Sequence, residues 1–217
     1  MACGGPNRGL EWEEEEDDDD DEETFTSFEG KPEELGKFLD EHKPSDPAWN
    51  IENTQWVSVS NPLDNQEYGD FDKAFDMWED LESSRRVTAK RIEEIALATK
   101  STSGKWMIFR HRRIIDETWK MVAEATVAGK LGCSAKVATT YESDTNKRNK
   151  DIGQHLICVY TGNFADKDDV WRVEKALRSM GFTDILKYKP NIYTWFKIYI
   201  GNKYKIKPSL YTSRHKE

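Results

Sequence analysis

Three cysteines in 217 residues (Cys3, Cys133 and Cys158) cannot all pair within one chain, and none stands in a CxxC. So little cysteine speaks against a disulfide framework and suits a reduced cytosolic or nuclear setting. Long apolar runs are missing too. No stretch approaches the roughly 18–20 consecutive apolar residues that a membrane span requires, so no membrane partner is expected. The start, Met1-Ala2-Cys3-Gly4-Gly5-Pro6, leads into acid rather than an apolar segment. That is the wrong pattern for a secretory signal, and the acid speaks against a mitochondrial transit peptide. The four histidines (His42, His111, His155, His215) lie at least 44 residues apart, which makes no local metal signature. There is no GxGxxG, GxSxG or HExxH. Ala128-Gly129-Lys130-Leu131-Gly132 has the look of a phosphate loop, but Glu124 and Leu131 stand where that motif needs Gly and Ser/Thr. The chain therefore reads as non-enzymatic, with no cofactor or metal expected.

What the chain does have is charge, unevenly placed. The formal net charge of -9 hides a split. Residues 1–30 hold 13 acids and one base, Arg8, whereas residues 31–217 carry a net charge of +3. Glu13 to Asp21 is an unbroken acidic run, continued by Glu22 and Glu23. Such a block repels itself and buries nothing, so residues 1–30 are expected to form a disordered acidic leader before a single domain over 31–217. A solubilising tail, an electrostatic mimic of nucleic acid folding back on a basic face, and a partner-binding tail all fit the leader.

From Pro32 the chain has the marks of folding. Pro32-Glu33-Glu34 opens a helix, and Thr54–Ser60 alternates like a strand. Asp70 caps a helix that turns Phe71, Phe75, Trp78 and Leu81 inward. Thr88 starts another, with Ile92, Ile95, Ala96 and Thr99 inward. Residues 104–109 form a buried strand. Asp116 begins the clearest helix (Trp119, Val122, Ala123, Thr126, Val127), closed by Gly129. Ser134–Tyr141 and Gln154–Thr161 are strands joined by a polar loop. Asp166 or Asp168 caps a last helix with Val170, Val173, Leu177 and Met180 inward. Two or three strands follow. The pattern is α+β: a mainly antiparallel sheet with helices on one face.

Residues 187–214 hold seven bases, seven aromatics and no acid. Gly201-Asn202 suggests a hairpin. A three-residue loop, Gly201-Asn202-Lys203, would gather Phe196, Ile198, Ile200, Tyr204 and Ile206 on one face. It would place Tyr193, Trp195, Lys197, Tyr199, Lys205 and Lys207 on the other. Aromatics among lysines on an open sheet suit single-stranded RNA: bases stack on rings while lysines neutralise phosphates. Arg110-His111-Arg112-Arg113 forms a second basic cluster, and Lys147, Arg148 and Lys150 sit in the polar loop.

Several blocks together carry a resemblance. They are Gly104-Lys105-Trp106, Asp116-x-x-Trp119 through Gly132, Ala135-Lys136-Val137, His155-x-Ile157-Cys158-Val159-Tyr160-Thr161, Lys187-Tyr188-Lys189-Pro190-x-x-Tyr193-Thr194 and Pro208-x-Leu210-Tyr211-x-Ser213-Arg214. Over residues 50–214 the chain resembles the eukaryotic basophilic leukaemia-expressed protein family. That resemblance implies a fold like the cap-binding translation initiation factor of the four-E type, a curved antiparallel sheet backed by helices. It also implies that Lys105 matches a phosphate-binding arginine and that Tyr160 stands near the place of the cap methyl. The second tryptophan of the methylguanine sandwich is missing, because no Trp lies between Glu79 and Lys105; for the first, Tyr68 or Phe71 is nearest. Trp78 resembles the dorsal-helix tryptophan that grips a helical partner peptide. The expected protein is thus a monomer that binds RNA or a nucleotide. The alternative is a peptide-binding module centred on Trp78.

Overall fold

The computed structural model describes residues 23–50, 52–64, 69–140 and 153–214. Leader residues 1–22, Tyr68, and the loop positions Lys147, Arg148 and Lys150 lie outside them.

The described chain is α+β. Seven strands form one sheet: β1 (Phe25–Ser27), β2 (Trp56–Ser60), β3 (Gly104–His111), β4 (Ser134–Ala138), β5 (Gln154–Thr161), β6 (Leu186–Pro190) and β7 (Tyr211–Ser213). Their order is β1-β2-β4-β5-β3-β6-β7, and every neighbouring pair is antiparallel except β1 with β2. Six helices accompany them: α1 (Leu35–Glu41), α2 (Phe71–Ser83), α3 (Ala89–Ala98), α4 (Ile115–Val127), α5 (Lys167–Ser179) and α6 (Asn191–Trp195).

Local chemistry accounts for the helix ends. The Asp70 side chain accepts from the Lys73 amide at 3.0 Å, Thr88 from Arg91 at 3.3 Å and Asp166 from Asp169 at 3.2 Å. Asp166, not Asp168, is therefore the cap of α5. Asp116 and Glu117 lie in the first turn of α4, where acid suits the helix dipole. Gly129, at φ +70°, takes the left-handed turn after α4 that a side chain would resist.

Alternation along the strands decides the core. Val57, Val59, Trp106, Ile108, Ala135, Val137, Ile157, Val159, Leu186 and Tyr188 belong to one buried cluster with the apolar stripes of α3, α4 and α5. Trp106 is fully buried and donates its indole N–H to the Val170 carbonyl at 3.0 Å. A charged network is sealed in beside them. Arg178 bonds Glu174 at 2.7 Å, the Ser213 hydroxyl donates to the same carboxylate at 2.5 Å, and Arg178 also reaches the carbonyls of Phe182 and Asp184.

Two expectations need correction. The leader does not extend to residue 30: Phe25–Ser27 pairs with Trp56–Ser58 as the parallel edge strand. The acid block dominates the composition of that stretch, but Thr24-Phe25-Thr26 beyond it has strand character of its own. The second error is the hairpin. Pro190 leads into the short helix α6 instead of a strand. Lys197 and Lys205 then adopt left-handed conformations (φ 52° and 57°), which destroys the alternation. The Asn202 side chain holds the loop in place of a ladder. It donates to the carbonyls of Tyr199 and Ile206 (both 2.7 Å) and accepts from the Ile206 amide at 3.1 Å. Phe196 and Ile198 enter the core as expected, whereas Ile200 is exposed.

Candidate nucleic-acid interface

The sheet's second face, turned away from that cluster, follows from the strand registers. Ser60, Ser134, Tyr160, Lys105 and Lys189 stand side by side across five strands. The next row runs Ser58, Lys136, Cys158, Met107, Lys187 and Thr212. Phe25, Trp56 and Ala138 begin a third. Four lysines, Lys105, Lys136, Lys187 and Lys189, thus project from a face that also carries aromatic rings, and Lys187 is exposed.

The other three ammonium groups each sit against a ring. Lys136 Nζ lies 3.8 Å from the Trp56 ring centroid and 5.0 Å from that of Phe25. Lys189 is 3.8 Å from Tyr199, and Lys105 is 5.5 Å from Tyr160. Lys105 also donates to the Thr194 hydroxyl at 3.2 Å. Lys136 and Lys189 are only 8% and 5% exposed. Among the described residues, the one carboxylate within ion-pair distance of any of the three is Glu23, 2.7 Å from Lys136.

Burial with so little opposite charge disfavours the ammonium form. Burial draws Lys189 down to about 7, and the neighbouring Lys105 adds to the effect. Burial is also the main cause that lowers Lys105, with Lys136 pressing the same way. The Cys158 thiol between them is pushed up by burial, as is the Tyr160 hydroxyl. Neither is a ready nucleophile.

A cavity of about 600 Å³ opens at one end of this face, a size that suits small ligands. Ser60, Ser134 and Tyr160 come to it from the sheet, Phe71 from α2, and Trp195 and Asn191 from α6. Phe71 and Trp195 meet edge to face at 4.8 Å. Tyr160 is held there by a close backbone approach: a Cβ on Gly132 would overlap the Tyr160 carbonyl oxygen.

Unsatisfied polar atoms concentrate on this side. Among the described residues, four buried side-chain atoms lack a hydrogen-bond partner: Trp56 Nε1, Thr212 Oγ1, Asn191 Oδ1 and Trp119 Nε1. The first two belong to second-face positions and the third lines the cavity, leaving only Trp119 in the core. Folded proteins rarely leave such groups unpaired, and three of these four lie on the second face or in its cavity, with Trp56 and Thr212 near opposite edges of the sheet.

The remaining sequence candidates divide. Lys105, Tyr160 and Trp195 come together around the cavity and the lysine row. Tyr199 is exposed and joins through Lys189. Lys197, Lys205 and Lys207 are exposed in the irregular segment after α6, and the last two flank a shallow depression around Ile200–Pro208. Tyr193 is no stacking platform: it is buried and donates to Glu93 at 3.0 Å. Arg110 has the strand parity of Ile108, opposite to Lys105, and is paired with Asp184 at 2.7 Å over the Phe182 ring. Arg112 is tied to the Ser45 carbonyl at 2.7 Å. Arg113 stands with it in the turn beyond the far end of β3, whose last residue, His111, lies about 20 Å along the strand from Lys105 at ~3.3 Å per residue.

Trp78 needs the plainest correction. It is 8% exposed, stacked on Phe196 at 4.3 Å and edge-on to Tyr204. Tyr204 in turn bonds Glu82. Trp78 offers no groove to a peptide, because the loop after α6 already covers it.

Lys136, Lys189, Trp56 and Asn191 escaped the sequence reading as site residues. Ser134-Ala135-Lys136-Val137 does show the alternation that puts Lys136 opposite the core, and Lys187-Tyr188-Lys189 does the same for Lys189.

A mixed, mostly antiparallel sheet with a helix-packed face and a lysine–aromatic face defines an α+β class. Residues 72–197 match the family model described as basophilic leukemia-expressed protein Bles03. The chain belongs to that family.

Proposed function

We propose that the second sheet face binds single-stranded RNA or a nucleotide. Phosphates would lie along Lys105, Lys136 and Lys189, and a base would enter the cavity among Tyr160, Trp195 and Phe71. One observation carries this reading: three lysines drawn out of water, with one carboxylate among them in the described chain. A phosphate supplies the missing charge, and the rings supply sequence-tolerant stacking. We read the molecule as a monomeric binding protein rather than an enzyme. Among the described residues no helix is long and apolar enough to cross a membrane. Cys133 and Cys158 are unpaired, which supports a reduced cytosolic or nuclear setting. Methylguanine sandwiching of the initiation-factor kind is not part of the proposal, since its second tryptophan has no counterpart here.

The test is fluorescence anisotropy of a labelled 12-mer oligouridylate, uncapped and capped, at several salt concentrations. Three lysine–phosphate contacts predict a log K against log salt slope of about -2, at ~0.7 per contact on single strands. Lys105→Gln and Lys189→Gln should each remove about 0.7 of that slope. Absence of binding at low salt, or an unchanged slope in both variants, overturns the reading. A marked preference for the capped oligonucleotide would restore a cap-specific site.

A further inference from the structure

The second face does not spread its cations evenly. Lys105 on β3 and Lys189 on β6 are direct partners in the strand register, so their side chains rise from the sheet side by side. Lys136 stands apart, two strands from Lys105 and one row along, and Glu23 meets it at 2.7 Å. The pair has no carboxylate within that kind of reach among the described residues. Like charges directly opposite on paired strands destabilise a sheet. Lys189 is moreover 5% exposed, and after burial itself Lys105 is the next cause that disfavours its ammonium form. This costly arrangement calls for two negative charges at one place. The cavity stands beside it. Tyr160 lines the cavity, and its ring centroid lies 5.5 Å from Lys105 Nζ. The same ammonium donates to Thr194 at 3.2 Å, and Thr194 falls in α6 between Asn191 and Trp195, which both line the cavity.

We propose that Lys105 and Lys189 together hold the terminal phosphate of a nucleotide whose base occupies the cavity, either a free mononucleotide or the last nucleotide of an RNA strand. This deepens the reading of that face given above and rests on it for the base. The choice among phosphates follows from charge. An internal phosphodiester carries one negative charge, whereas a phosphate monoester carries about -1.5 to -2 at pH 7 and offers three strong acceptor oxygens. A single monoester therefore compensates both ammonium groups at once. Donors are to hand: an ammonium has three N–H groups, and Thr194 accepts from one of those on Lys105. Tyr160 and Lys105 are partners on adjacent strands. One ribose is thus enough to join a base stacked on the ring to a phosphate on the ammonium.

Two measurements on the full chain test this. The first is fluorescence anisotropy with an internally labelled oligouridylate 12-mer that bears a 5′-phosphate, a 3′-phosphate or neither. A terminal phosphate at one end should tighten binding about tenfold, since it adds charge-assisted hydrogen bonds. Lys105→Gln and Lys189→Gln should each erase that gain. Lys187→Gln removes an equal charge two positions from Lys189 on the same strand and face, and should leave the gain in place. No gain from either phosphate overturns the proposal while leaving the RNA reading intact. So does a gain that survives Lys189→Gln, or one that Lys187→Gln removes equally. The second measurement is titration calorimetry with uridine 5′-monophosphate and with uridine. Binding of the monophosphate as tight as that of the phosphorylated 12-mer identifies a free nucleotide as the ligand, and much weaker binding identifies a strand end. If the monophosphate binds and no 12-mer does, the paired-lysine site stands and the RNA reading falls. If nothing binds, both fall.

Discussion

The two faces of the sheet both bury side chains, but for opposite reasons. On the helix side Trp106, Ile108, Val57, Val159 and Tyr188 pack apolar atoms together, and polar atoms such as Trp106 Nε1 and the Tyr188 hydroxyl have partners. On the other side Lys136 and Lys189 are nearly as inaccessible, yet indole and amide atoms lack partners and one carboxylate serves three ammonium groups in the described chain. The first arrangement stabilises; the second costs stability, since buried charge without compensation is unfavourable. Low exposure alone thus says little about what a residue contributes. Whether its polar atoms are satisfied says more.

The sharpest way to break the comparison is to truncate one large side chain on the helix side. Trp106→Ala should lose about 3–5 kcal/mol, read as a lower urea midpoint. The counterpart, Lys189→Met, should move the midpoint upward by about 1 kcal/mol or more while weakening oligonucleotide binding, because it removes a buried charge. If Lys189→Met is destabilising, the second face is structural and the contrast fails.

A pH series sharpens the same point. Lys189 is drawn down to about 7 in the fold, against an ordinary value of 10.5. Between those values the unfolded chain holds a proton that the folded chain has shed, so stability rises with pH through this window. Below about 7 both states hold the proton and this group contributes no slope. An anion prefers the ammonium, so binding above pH 7 should take up a proton and weaken as pH rises. Titration calorimetry at pH 8, in two buffers of different ionisation heat, measures that uptake. Lys189→Met should abolish it.

The smallest effect concerns a residue of the same charge on the opposite face. Arg110→Gln should leave oligonucleotide affinity unchanged and cost at most ~1 kcal/mol, because its partner Asp184 is largely exposed. A loss of affinity matching that of Lys105→Gln would mean that both faces contact the ligand.

Much of the fold was legible. The caps Asp70 and Thr88 and the stripes of α2 to α5 follow from local chemistry, and β5 was read at its observed bounds, Gln154–Thr161. What could not be read was pairing order. Lys105 and Lys189 are 84 positions apart and meet only because β6 lies beside β3. Lys136 joins them because β5 lies between β4 and β3. Periodicity shows that each lysine faces away from the core, but it does not show that they face the same way as neighbours. The hairpin failed for a related reason. Gly201-Asn202 does mark a turn, yet left-handed lysines and the Asn202 side chain, rather than strand pairing, set its geometry. Trp78 was mistaken for a docking residue because its cover, Phe196, comes from more than a hundred positions away.

Strand β7 is three residues long, yet Ser213 closes the hydrogen bonding of Glu174 and Arg178, 39 and 35 positions earlier. On a ribosome, α5 emerges well before that hydroxyl does. Until Tyr211–Ser213 clears the exit tunnel, the carboxylate and guanidinium of α5 have nothing to complete their enclosure, and the sheet lacks its last edge. Vectorial synthesis can therefore build the helices and the central strands early, but the enclosure of Glu174 and Arg178 is sealed only once Tyr211–Ser213 has been made.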